Sequence, residues 1–133
     1  MLKCTHGLIV IHMWDMLKIF KALSDETRLR IVNLLLAREC CVCEVVQAMR
    51  ISQTRASRGL TTLHNVGLLK ARRDGLWVLY SIDEERMEKS YGGLIQFIGS
   101  ALKGNEIADL DREQLKTAVR ESPCRERLKF VDC

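Results

Sequence analysis

Three of the six cysteines stand in one short run, Glu39-Cys40-Cys41-Val42-Cys43-Glu44. Thiolates are soft ligands, and sulfurs this close in sequence suit a soft ion: zinc, copper(I), cadmium, lead or arsenic(III). Spacing restricts which of them can act together. In a regular helix Cys41 and Cys43 lie about 200° apart, nearly opposite each other. In an extended stretch, residues i and i+2 share a side. A Cys41/Cys43 site therefore needs a nonhelical start or a helical turn that unwinds on binding, and the two thiols are expected to diverge until an ion draws them together. Cys40 and Cys43, at i and i+3, can chelate within a helix. Cys40 also reads as a small buried hydrophobe in a strand. A helix N-terminus lowers a thiol pKa, so reactive thiols are expected here. Cys4, Cys124 and Cys133 lie in end segments, from which an arm could bring a third sulfur.

A second constellation lies just downstream. At about 100° per residue from Ser52 to Asn65, Ala56, Leu60 and Leu63 share one side and face a core. Thr54, Ser57, Arg58 and Thr61 lie opposite, with Gln53 in the first turn and Arg55 on the flank. Such a face suits a DNA major groove. Arginine grips guanine with two hydrogen bonds, glutamine does the same for adenine, and hydroxyls reach phosphates or bases. Any solvated helix face carries similar residues, so the helix does not decide the matter alone. The hairpin that follows does more, because Lys70, Arg72 and Arg73 stand just before its tip, where a wing meets backbone phosphates.

The elements that must position these groups follow from periodicity and caps. Residues 13–23 predict a helix with Trp14, Leu17 and Phe20 on one stripe. Ser24 or Asp25 caps a second helix carrying Leu29, Val32 and Leu36. A short third helix starts at Val42. The fourth runs from its Ser52 cap to about Asn65, stopped by Gly67. Runs 68–73 and 76–82 predict two strands, with Asp74-Gly75 as the turn. A longer helix is expected over 84–103, weakened by Gly92-Gly93 and ended by Gly104-Asn105. A last helix is expected over 111–121, stopped by Ser122-Pro123. The domain reading is an N-terminal arm over 1–12, a winged helix-turn-helix domain with dimerisation helices over 13–103, and a C-terminal extension over 104–133. The fold class is mostly α with a β-hairpin wing, dimeric. The expected motive for the dimer is the stripe Leu94, Ile98 and Ala101/Leu102 together with the first helix.

Composition narrows the class further. At 133 residues one domain is the default. The chain is 47% hydrophobic, which excludes disorder. A net charge of +4 permits a polyanionic partner without proving one. The apolar run Leu8–Ile11 is too short to span a membrane and has no small-residue cleavage site. It reads as a buried arm or strand, with translation from Met13 or Met16 as another possibility. A cytoplasmic location with reduced thiols is expected, so the cysteines read as ligands or sensors rather than disulfide partners.

The stretch Phe20–Ile82 resembles the arsenic-responsive repressors of the ArsR/SmtB family. The resemblance is carried by KALSDETRLRIVNLL (Lys21–Leu35), ECCVCEVV (Glu39–Val46), SQTRASRGL (Ser52–Leu60) and GLLKARRDGLWVLYSI (Gly67–Ile82), roughly half the chain. It implies a homodimer that binds an inverted-repeat operator in double-stranded DNA and leaves it when trivalent arsenic or antimony binds, with no organic cofactor and no membrane partner. Cys41 and Cys43 match the family's Cys-Val-Cys motif. The resemblance also admits a cadmium- or lead-sensing alternative in which an N-terminal cysteine such as Cys4 joins the pair. This chain departs from the pattern at Val46, where a third cysteine is frequent, at Gly59, where histidine is usual, and in lacking proline after Gln53. The histidines and carboxylates of zinc-sensing relatives are not expected, since the histidines are His6, His12 and His64. Two rivals stand beside this reading. A thiol oxidoreductase or arsenate reductase lacks a βαβ scaffold and a Cys-x-x-Cys pair. A redox-switched repressor of the same fold differs only in its effector.

Overall fold

The computed structural model describes residues 12–121 and the backbone of two short strands before them. These strands, β1 (Cys4–Thr5) and β2 (Leu8–Ile9), pair antiparallel, with Cys4 opposite Ile9. The expected strand in the Leu8–Ile11 run is thus present over Leu8–Ile9. The side chains of Cys4, Cys124 and Cys133, and the expected stop at Ser122-Pro123, lie outside the described residues.

Four helices follow, each begun by a residue suited to the task. Helix α1 (Met13–Leu23) starts at His12, whose ring accepts the Trp14 N–H at 3.2 Å. Helix α2 (Glu26–Ala37) is capped by Asp25, which accepts the Arg28 N–H at 3.0 Å. Helix α3 (Val42–Met49) begins directly after Cys41 and ends at Arg50, which adopts the left-handed conformation with φ 53°. Two residues later Ser52 caps α4 (Gln53–Asn65), accepting the Arg55 N–H at 3.1 Å. The sharp turn between α3 and α4 makes the pair a helix-turn-helix. Gly67, with φ 85°, lets the chain leave α4 for the hairpin.

The hairpin pairs β3 (Leu69–Asp74) with β4 (Trp77–Ile82), Leu69 opposite Ile82 and Asp74 opposite Trp77. The turn is therefore Gly75-Leu76, one residue later than the expected Asp74-Gly75. Gly75 alone of the two has positive φ (63°), which places glycine first, as a type II′ turn requires. Cys40 adds a single bridge to the free edge of β4, exchanging backbone hydrogen bonds with Tyr80 at 3.0 and 2.8 Å.

The expected helix over 84–103 is two helices, α5 (Glu84–Ser90) and α6 (Leu94–Ala101). The chain breaks at Tyr91-Gly92-Gly93, where Gly93 takes φ 87°. The last helix, α7 (Glu106–Leu115), begins five residues before its expected start at Asp111 and ends six before its expected end at Glu121. Asn105 is its cap and accepts the Ala108 N–H at 3.0 Å; the residue read as ending one helix also starts the next.

The core gathers Ile19, Ile31, Leu34, Val45, Leu60, Leu63 and Leu68, with Ile95 and Ile98 from α6. This corrects the expected dimer stripe, because Ile98 is buried in the chain's own core and Leu94 packs against it. The apolar groups left outside include Trp14, Leu17 and Phe20 on α1 and Phe97 on α6. Helix α7 packs on α2 and α3 through a polar clamp. Asp111, only 2% exposed, takes two hydrogen bonds at 2.8 Å from Arg30. That hydrogen bond raises the Arg30 pKa above its ordinary value despite the cost of burial. Asn33 donates to Ala108 O at 3.0 Å and accepts from Arg112 at 3.1 Å. Among the described residues, no helix is long and apolar enough to cross a membrane.

Candidate metal centre and nucleic-acid interface

Cys41 and Cys43 come together; Cys40 does not join them. Cys41 is the N-cap of α3, with φ −89° and ψ 171°, and Cys43 is the second residue of the helix. Because Cys41 is extended rather than helical, the opposed geometry of a regular helix does not apply. The two Sγ atoms lie 2.7 Å apart. The expected divergence of these thiols is thereby corrected, and the nonhelical start that a shared site needs is already in place. Among the described residues no disulfide joins these three cysteines to one another.

The local fold fixes this arrangement through Glu44, the third residue of α3. Its Oε1 accepts the Cys41 N–H at 3.0 Å, and its Oε2 accepts from Arg38 at 2.7 Å. Burial resists ionisation of Glu44, but the Cys41 amide and the Arg38 guanidinium overcome it and hold the carboxyl below the ordinary carboxylate range. Both cysteines are 3% exposed and form a small cluster with Leu79, against which Trp77 packs. On the far side Cys43 Sγ accepts the Glu121 N–H at 3.3 Å.

Cys40 belongs to the main core instead, at 0% exposure, with its thiol toward Arg38 O at 3.5 Å. Burial pushes this thiol up to about 12, against a small opposing pull from Arg38. The expectation of a reactive, lowered thiol is corrected for Cys40: its place is that of a small hydrophobe beside the wing. Among the described residues no set of three or more His, Cys, Asp or Glu side chains gathers into a metal site.

The face of α4 lies as the sequence reading places it. Ala56, Leu60 and Leu63 are fully buried, while Thr54, Arg55, Arg58 and Thr61 are exposed and Gln53 and Ser57 are half-buried. Arg55 leans back to donate to Thr27 Oγ1 at 2.6 Å. On the wing Lys70, Arg72 and Arg73 are exposed. Arg72 pairs with Glu39, donating from Nε at 3.1 Å, and this contact lowers the Glu39 pKa. Arg72 must exchange that carboxylate for a phosphate if it is to meet DNA.

With a helix-turn-helix, a basic wing and a thiol pair at the head of α3, known proteins supply the comparison. Residues 25–71 match the model of the bacterial regulatory protein, arsR family. The arsenic resistance transcriptional regulator ArsR1 of Pseudomonas putida is 39% identical over 99 residues, 73% of this chain and 69% of that protein. The chain belongs to the arsR family. The cadmium resistance regulatory protein CadC homolog of Staphylococcus aureus is 43% identical over 76 residues, 56% of this chain and 63% of that one. The chain thus spans about two thirds of these curated relatives. The homodimeric winged helix-turn-helix DNA-binding domain of a possible ArsR-family regulator from Mycobacterium bovis matches with TM-score 0.57 and 28% identity, over 69% of this chain and 82% of that one.

Two departures of this ArsR-family chain have a structural counterpart. Val46, where a third cysteine is frequent, packs on the main core. At Gly59 a β-carbon would lie 2.6 Å from Ile31 Cδ1, so α4 rests on α2 more closely than a larger residue allows. Sequence reasoning missed the segment after α7, which reaches both Cys43 and the wing. Apart from the Arg120 guanidinium it offers main-chain atoms to these contacts, and those leave no signature in residue types.

Proposed function

We propose that the chain is a transcriptional repressor that binds an inverted-repeat operator as a homodimer and leaves it when a thiophilic ion occupies Cys41 and Cys43. Trivalent arsenic or antimony is the favoured effector, with cadmium or lead as the alternative. The observation that carries the reading is the buried Cys41/Cys43 pair, two sulfurs 2.7 Å apart at the head of the helix that packs on α4. A thiophilic ion bound there would join the two sulfurs covalently or by coordination. The donor set fits such an ion, because both sulfurs are soft ligands; the Glu44 carboxylate lies beside Cys41. Thr54, Ser57, Arg58 and Thr61, with Gln53 and Arg55, would read the major groove, and Lys70, Arg72 and Arg73 would meet phosphates. Exposed Trp14, Leu17 and Phe20 on α1, and Phe97 on α6, are apolar groups that a second copy would cover. Two-fold symmetry of the protein would then be matched in the DNA. The names of the relatives, arsenic for one and cadmium for another, support a metal or metalloid effector in general.

The pair also favours a second reading, since sulfurs this close are placed for oxidation to a disulfide. Release from the upstream DNA, followed on adding arsenite, antimonite, cadmium, lead, zinc and peroxide in turn, separates the readings. Release by arsenite or cadmium and not by peroxide is expected. Release by peroxide alone makes the switch a redox one, and release by none of them removes the thiol pair from the mechanism.

A further inference from the structure

Beyond Leu115 the chain turns back across the thiol pair, and three consecutive residues tie it down. Val119 is held at both main-chain groups by the Gln47 amide, which accepts its N–H at 3.0 Å and donates to its C=O at 2.6 Å. The Arg120 guanidinium lies 3.5 Å from Glu44 Oε1 and 3.4 Å from Asp74 Oδ2. Glu121 gives its N–H to Cys43 Sγ at 3.3 Å and takes the Trp77 indole N–H on its C=O at 2.6 Å. Every one of these residues touches the head of α3, the wing, or both.

The two ends of this segment are held very differently. Its base is α7, fixed to α2 by the buried Asp111–Arg30 and Asn33–Arg112 contacts and by Arg38 donating to Leu115 O at 3.2 Å. Its far end is held by part-buried bonds to Cys43 and Trp77 and by exposed ones to Gln47, and Val119 itself is 63% exposed. Segments with few apolar contacts and exposed hydrogen bonds open at low free energy while their surroundings stay folded. The segment also lies on the sulfur itself. The Glu121 N–H directed at Cys43 Sγ fixes where that sulfur points, and an occupant of the pair competes for it.

We propose that residues 117–121 form a strap that closes the Cys41/Cys43 site and ties its occupancy to the wing, with Gln47 and Trp77 as positioning residues. The proposal rests on the reading of the pair as the effector site. An ion taken up by the pair displaces the Glu121 N–H from Cys43. The strap then loosens its hold on Trp77 and Asp74, at the two strand ends that flank the hairpin turn. This route reaches the DNA-facing wing without passing through the turn between α3 and α4.

The test uses the full chain and two readouts. Amide hydrogen exchange is measured with and without cadmium, whose ultraviolet thiolate-to-cadmium absorption reports occupancy. Cadmium is expected to speed exchange at Glu121 by about tenfold or more while Ala108–Leu115 stays protected. In Gln47→Ala, strap exchange is expected to be fast without the ion and the absorption band is expected to persist. The ratio of DNA affinities without and with cadmium is expected to shrink by about fivefold or more. If the band forms in the parent but exchange at Glu121 does not change, or if Gln47→Ala keeps the parent's ratio, the strap proposal is overturned and the reading of the pair survives. If no band forms in the parent and its DNA binding ignores both cadmium and arsenite, the reading of the pair fails and the strap falls with it.

Discussion

Cys41 stands one residue outside α3 and Cys43 stands inside it, and this difference of backbone brings their sulfurs to 2.7 Å. Had the helix begun one turn earlier, the same two side chains would point to opposite sides. Glu44 holds the boundary in place, because its carboxylate accepts the Cys41 N–H that a longer helix would have turned inward. The pair is thus made by a cap rather than by a motif alone, and the two sulfurs already face each other.

Cys40 is expected to behave as a core residue. With its thiol pushed up to about 12, almost none is ionised at neutral pH. Alkylation of Cys40 by iodoacetamide in the folded protein should be slow at pH 7 and climb about tenfold per pH unit up to about pH 10 without levelling, while in urea it should be faster and level off above the ordinary thiol range near 8.5. A folded pKa above the unfolded one contributes stability that is present below the unfolded value and is lost as pH rises toward the folded one. Cys40→Ala should keep the parent's response to arsenite. Peptide mapping after alkylation checks the first point, and rapid labelling of Cys40 at pH 7 would contradict it.

Gly59 should resist enlargement. Gly59→Ala gains about 1 kcal/mol of helix propensity but places a methyl 2.6 Å from Ile31 Cδ1 in a fully buried contact, and overpacking of this kind costs about 1–3 kcal/mol. A net loss is expected. Ile31→Val removes the offending carbon, at about 0.5–1.5 kcal/mol by itself. Urea unfolding of the two single variants and the double one should show the double to be more stable than the sum of its parts. Strict additivity would mean that the helices separate freely at this point.

Arg58 and Arg73 should differ in kind. Arg58→Ala is expected to weaken specific binding by about 1–3 kcal/mol and random DNA much less. Arg73→Ala should weaken both alike and flatten the salt dependence by about one phosphate contact. Anisotropy titrations at several salt concentrations resolve the two. Equal loss on specific and random DNA for Arg58→Ala would place the reading face elsewhere on α4.

Much of this molecule was legible in the order of its residues. Ser52 announces the helix it caps, Ser24-Asp25 announces α2 without telling which of the two caps it, Gly67 announces the exit from α4, and the buried Ala56/Leu60/Leu63 stripe follows from period alone. The errors share a physical cause. Gly104-Asn105 reads as a stop, yet an asparagine that ends one helix caps another equally well. Gly92-Gly93 reads as a blemish in one helix, yet a left-handed glycine divides it in two. Leu94 and Ile98 read as an outward stripe, because periodicity reports that a face is apolar without saying which neighbour covers it. The strap over Cys43 is held by side chains of α3 and the wing that bond its main chain, and by the Arg120 guanidinium, all between residues far apart in sequence, and no local pattern encodes them.

The central claim is that the Cys41/Cys43 pair governs DNA binding. Its most direct test compares the parent with the double variant Cys41→Ser/Cys43→Ser, titrating each complex with upstream DNA with arsenite and with cadmium while anisotropy is read. The parent should leave the DNA, and the double variant should bind it and stay bound across the same concentrations. A double variant that leaves the DNA at the same arsenite concentration as the parent would contradict the account and place the sensing site elsewhere in the chain.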